Sequence, residues 1–143
     1  MHKWLLILML AASANAQVPS PPSTEEKLVA DPGTAKFAPI AVPGFAPGAQ
    51  GALIGVDPNT KGPTGYAKFP PKYRIAAHWH SYAEYVTVIS GKATLTLDGK
   101  PYQLAPGSYA VIPAKTTHDL TCGASECLVI SRRAGPVDYN WAK

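Results

Sequence analysis

The stretch that decides the reading is His78-Trp79-His80-Ser81-Tyr82-Ala83-Glu84, which runs on into Tyr85-Val86-Thr87-Val88-Ile89-Ser90-Gly91. Side chains on a strand alternate between faces, so His78 and His80 point to the same side. Glu84 follows after a three-residue break with room for a tight turn, and opens a second apolar run. Two imidazoles and a carboxylate, delivered by adjacent strands to one spot, make three-quarters of a transition-metal site. Trp79, between the two histidines, takes the opposite face and is expected to pack in the core.

Working outward, the chain is punctuated at regular intervals. Gly51–Val56 is a short apolar strand stopped by Asp57-Pro58-Asn59. Thr64–Phe69 alternates and is broken by Pro70-Pro71. Tyr73–His80 and Glu84–Ser90 are strands, the second turned by Gly91-Lys92. Ala93–Leu97 alternates strictly and ends at Asp98-Gly99, a hairpin signal. Further strands are expected at 102–104, 108–112, 117–122 and 128–133, and residues 135–141 form a tail. Short strands between Gly and Pro turns, with no long segment of period 3.6, predict an all-β sandwich or barrel.

The chain begins Met1-His2-Lys3, then an apolar run from Trp4 to Ala12, then Ser13-Ala14-Asn15-Ala16. A basic start, a short apolar stretch and small residues at Ala14 and Ala16 predict a secretory signal peptide, residues 1–16, cut after Ala16. The run is too short to span a bilayer, which takes roughly 20 residues. The mature protein is therefore expected to be exported and periplasmic, with no membrane span. Residues 17–36 carry Pro19, Pro21, Pro22 and Pro32 and are expected to be a flexible Pro-rich segment, with a brief helical turn near 24–29. Residues 37–143 form the one domain.

The net charge of +4 is spread over scattered lysines and arginines, of which only Arg132 and Arg133 are adjacent. No basic stripe is present, so the charge is read as solvated surface and nucleic acid as no partner. Two cysteines, Cys122 and Cys127, flank Gly123-Ala124-Ser125-Glu126 in a chain bound for an oxidising compartment, which favours a disulfide across a hairpin.

Three histidines survive removal of the leader: His78, His80 and His118. The spacing His78-x-His80-x3-Glu84-x6-Gly91 resembles the first motif of the cupin superfamily, and Gly107-x5-Pro113-x4-His118 resembles the core of the second. The resemblance runs over roughly residues 50–135. Three positions depart from it. Lys72 and Lys115 stand where glycines are common, and Cys122 where the second motif ends in asparagine. The stretches Asp57-Pro58 to Gly62-Pro63, Ala77–His80, Val86–Gly91 and Gly135-Pro136 resemble small exported bacterial single-domain cupins with ChrR-like and acetylacetone-dioxygenase-like cousins.

The resemblance implies a double-stranded β-helix, or jelly-roll barrel. It also implies a metal site of His78, His80, Glu84 and His118. Some cupins bind through histidines alone, so Glu84 is read as a ligand or as its neighbour. The donor set suits one divalent ion of Fe, Mn, Ni, Cu or Zn, with iron favoured. No motif singles out a catalytic residue. Strand parity puts Tyr82 near the site mouth, where a phenol would orient substrate or donate a proton, and packing is the competing use. Two functions remain: a metal-dependent enzyme, dioxygenase-like, on a small organic molecule, or a non-catalytic metal-binding, ligand-binding or sensor cupin. By analogy with the superfamily, a homodimer paired through sheet edges is expected.

Overall fold

The structure is a computed structural model and describes residues 28–143. The expected leader and most of the expected Pro-rich segment lie outside the described residues. The strands in chain order are β1 (Ala38–Pro39), β2 (Gln50–Val56), β3 (Pro63–Phe69), β4 (Arg74–Trp79), β5 (Glu84–Ser90), β6 (Ala93–Leu97), β7 (Lys100–Leu104), β8 (Tyr109–Ile112), β9 (His118–Cys122), β10 (Cys127–Arg133) and β11 (Asn140–Trp141). They form two antiparallel sheets. The larger has the order β1-β2-β3-β10-β5-β8, and the smaller β11-β4-β9-β6-β7. No helix among the described residues is long and apolar enough to cross a membrane. This is the expected all-β jelly roll.

Burial follows the period of two. Glu84, Val86 and Val88 of β5, Ala93 and Leu95 of β6, and His118, Leu120 and Cys122 of β9 are all buried, and the residues between them are less so. These inward faces meet Ile112, Val129, Phe69 and Tyr73 in one core between the sheets. Each Val, Leu, Ile or Phe side chain among them contributes roughly 1.5–3 kcal/mol when fully buried. Asp98 and Gly99 both take positive φ, 46° and 82°, as a two-residue hairpin turn between β6 and β7 requires.

The sheets assort the sequence differently from the simplest reading. β4 and β5 follow each other in the chain but lie in different sheets, so His78 and Glu84 face each other across the barrel. The Asp98-Gly99 hairpin sits at the edge of the smaller sheet. His118 is brought to His78 by the pairing of β9 with β4, in which the two histidines are directly opposite. Trp79 is only partly buried and belongs to neither buried cluster, because the inward phase of β4 is taken by His78. The end of the 17–36 segment is packed rather than free. Ala35 and Phe37 lie against a second cluster of Ala52, Tyr66 and Leu128, and the Tyr66 hydroxyl donates to Ala30 C=O at 3.1 Å. That packing covers the apolar outer face of the larger sheet.

The two lysine departures now have a physical reading. Lys72 and Lys115 take φ of 60° and 62°, the left-handed region that glycine enters freely. Each is held there by its own backbone N–H, Lys72 donating to Gly123 C=O and Lys115 to His80 C=O, both at 2.8 Å. Cys122 and Cys127 are joined at disulfide distance, with Cα atoms 5.8 Å apart. They tie β9 of one sheet to β10 of the other.

Candidate metal centre

His78, His80 and His118 each offer one ring nitrogen, and the three nitrogens lie within 4.8 Å of one another. All three side chains are buried. Each ring is fixed through Nδ1 by a backbone carbonyl. His78 Nδ1 donates to Ala76 C=O at 2.7 Å, His118 Nδ1 to Thr116 C=O at 2.9 Å, and His80 Nδ1 to Asp138 C=O. A carbonyl only accepts, so Nδ1 carries the proton and Nε2 is left with a lone pair aimed inward. His78 and His118 use the same local device, a bond to the carbonyl two residues back.

Glu84 approaches from the opposite sheet. Its Oε2 lies 3.2 Å from His80 Nε2 and 3.5 Å from His118 Nε2. With Nδ1 protonated, these contacts set lone pair against lone pair, and they become attractive only with a cation, proton or metal, between them. His80 Nε2 is buried and has no hydrogen-bond partner among the described residues. Donors about 2.0–2.2 Å from a shared ion stand roughly 3–3.6 Å from one another. The donor chemistry, and the spacing of Glu84 Oε2 from His80 and His118, therefore fit a divalent transition metal.

The other carboxylate oxygen is already held. Glu84 Oε1 accepts from Ser131 Oγ at 2.6 Å and pairs with Arg133 Nη2 at 3.1 Å. Burial alone would raise the Glu84 carboxyl. The Arg133 guanidinium, with the hydrogen bond from Ser131, outweighs it and holds the group well below the usual carboxylate range. His78 moves in the direction that suits a ligand. Burial pushes its imidazole down to about 4, and His118 and His80 beside it press the same way.

Arg133 corrects the sequence reading of its charge as solvated surface. Arg132 is exposed and pairs with Asp57 at 3.5 Å, but Arg133 is only 8% exposed and directly opposite Glu84 in the β10–β5 pairing. The missed signal was parity. Val129, Ser131 and Arg133 share a phase, and an apolar residue at 129 puts all three inward.

Tyr82 does not face the histidines. It is 46% exposed, and its ring lies over Gly135, where a Cβ would come within 2.5 Å of it. The phenol at the site belongs to Tyr139, whose ring centroid is 4.9 Å from that of His80 and 5.4 Å from that of His78. Its hydroxyl accepts from Arg133 Nη2 at 3.4 Å. Burial raises the Tyr139 hydroxyl above its ordinary value, with Arg133 pulling the other way, so it stays protonated at neutral pH.

Tyr139 reaches the site because the tail is a strand. Asn140 and Trp141 pair with Trp79 and His78, and the Asp138 carboxylate takes hydrogen bonds from the Ser81 N–H at 2.9 Å and the Ser81 hydroxyl at 2.5 Å. In the sequence, Tyr139 and Trp141 at a spacing of two were the available sign.

A cavity of about 260 Å³ opens beside these groups. Its polar lining includes His78, Glu84, His118, Ser131, Arg133 and Tyr139, and the rest is largely apolar, with Ile40, Phe45, Ile75, Leu95 and Ile112 among the walls.

Residues 65–131 match the family model of the cupin domain. No curated protein matches the sequence at a significant level. The polyketide cyclase RemF from Streptomyces resistomycificus superposes with a TM-score of 0.68 over 82% of this chain and 87% of its own, at 15% identity. A cupin 2 conserved barrel domain protein from Rhodopseudomonas palustris gives 0.65 over 80% and 83%, at 16% identity. KdgF from Halomonas sp. gives 0.61 over 78% and 94%, at 17% identity. At these identities the likeness is one of fold. The matched segment runs from within β3 to within β10 and carries all three histidines and Glu84, and it identifies this part of the chain as a cupin domain.

Proposed function

We propose that this chain is an exported, metal-dependent enzyme acting on a small organic molecule, with dioxygenase-type oxidation the favoured reaction. The observation that carries the reading is the cavity reaching His78, Glu84 and His118. A site meant only to retain an ion would be closed by protein, whereas this one has space for a ligand beside the donors. His78, His80 and His118 would hold the ion through Nε2, with Glu84 Oε2 as the fourth donor. Iron is the favoured ion among Fe, Mn, Ni, Cu and Zn. When bound, the metal would supply Lewis acidity and, as iron, redox chemistry.

The chain's own groups supply the rest. Backbone carbonyls fix the three rings and their tautomer, with Nε2 turned to the ion. Arg133 and Ser131 keep Glu84 ionised with one oxygen turned to the histidines, and the apolar walls exclude water. The leader-like N-terminus and the cysteine pair support export to the periplasm.

A second reading, a non-catalytic binding cupin, is favoured by one observation. Among the described residues lining the cavity, no carboxylate or imidazole is present beyond Glu84, His78 and His118 to act as a separate base. Iron-loaded protein should take up oxygen and turn over at least one member of a panel of diketones, phenols and organic acids. Retained metal with no turnover on any of them would select the second reading.

A further inference from the structure

We propose that Tyr139 and Arg133 form the recognition end of the cavity for an anionic oxygen on a small, otherwise apolar ligand. Tyr139 would donate its hydroxyl proton to that oxygen, and Arg133 would hold the phenol and supply charge. The inference rests on the metal reading above and names the ligand class for that same site.

Arg133 Nη2 donates to the Tyr139 hydroxyl, which occupies an oxygen lone pair and leaves the phenolic proton to point elsewhere. That proton has no acceptor among the described residues. Arg133 Nη1 is also buried without a partner. A native interior rarely leaves two such donors side by side unless something else completes them. Both residues line the cavity.

Arg133 and Glu84 are the only charged side chains among the described residues lining the cavity, and they cancel. Imidazoles that ligate a metal through Nε2 add no charge of their own. A divalent ion therefore leaves a buried excess of two positive charges, which is costly in a low-dielectric site. An anionic ligand offsets it and a neutral one does not. Size and lining fix the remainder. A dry cavity of about 150 Å³ takes up benzene, so one of about 260 Å³ has room for a ring-sized apolar body and a carboxylate or enolate head.

Calorimetry with zinc as the metal, benzoate as the anionic probe and benzyl alcohol as its neutral counterpart tests this. Benzoate should bind the zinc-loaded protein at least about tenfold more tightly than benzyl alcohol. Tyr139→Phe keeps the ring against His78 and His80, so it should leave zinc affinity within about twofold while weakening benzoate about tenfold, the scale of one hydrogen bond to a charged group. Because linkage is reciprocal, benzoate should tighten zinc binding by the factor that zinc tightens benzoate. Equal binding of the two probes, or benzoate binding unchanged in Tyr139→Phe, would overturn the inference and leave the metal reading standing. Failure of the unaltered protein to bind zinc would overturn both.

Discussion

The two sheets build their halves of the site by opposite means. The smaller sheet supplies His78 and His118 as directly paired rings, each oriented by a backbone carbonyl at short range. The larger sheet supplies charge, with Glu84 facing Arg133 across a strand pair and Ser131 on the same carboxylate oxygen. The histidine half is set by local backbone geometry. The carboxylate half is a buried ion pair, in which removing one member strands the other. The difference separates holding a metal from setting the charge around it.

The largest effect should come from breaking the charged half. Arg133→Met leaves Glu84 buried without its cation and should cost about 3–5 kcal/mol in denaturant unfolding. Adding Glu84→Gln should restore much of the loss, because the stranded charge is gone. A cost below about 1 kcal/mol for Arg133→Met would mean that the pair does not organise this half.

Acidification should separate the halves by pH window. An imidazole of ordinary value 6.5 that titrates near 4 when folded binds fewer protons in the native state between those values. The stability of the metal-free protein should therefore rise as pH climbs from about 4 to about 6.5, and fall on acidification through the same range. His78→Gln should flatten that window. Glu84, held low in the folded state, contributes stability that is present above the ordinary carboxylate range and lost as pH falls through its lower native value. Thermal midpoints of metal-free protein across this range check both, and a flat profile between pH 4 and 6.5 would contradict the first.

The disulfide joins the sheets at the far end of the strands that carry His118 and Arg133. Replacing Cys122 and Cys127 together by alanine should cost about 2 kcal/mol, since the loop it closes is short. Zinc affinity should stay within about twofold. A large drop in affinity would mean that the distant staple, and not the local carbonyls, sets the histidines. The smallest effect is expected at the left-handed lysines. Lys72→Gly and Lys115→Gly should each stabilise by about 1 kcal/mol or less, with relief of the positive φ set against the extra freedom of glycine in the unfolded chain.

What could be read from the sequence was what is local. The alternation along Glu84–Ser90, the Asp98-Gly99 turn and the shared phase of His78 and His80 are fixed by neighbours in the chain, and the strands fall where these signals put them. What is set at long range was not legible. Asp138 and Tyr139 join the site through β11, two residues long, whose place depends on pairing with a strand some sixty positions earlier. Arg133 looks like its neighbour Arg132 until the sheet pairing sets it opposite Glu84. Tyr82 has the right parity for the site mouth, but the turn after β4 lays it on Gly135 instead.

In this reading the three histidines hold one metal ion and Glu84 is its subordinate partner. Zinc titration by calorimetry on the unaltered protein, His118→Ala and Glu84→Gln tests it most directly. One ion per chain is expected, with a loss of more than about a hundredfold in His118→Ala and a smaller loss in Glu84→Gln. Equal zinc affinity in the unaltered protein and in His118→Ala, or no binding by either, would contradict it.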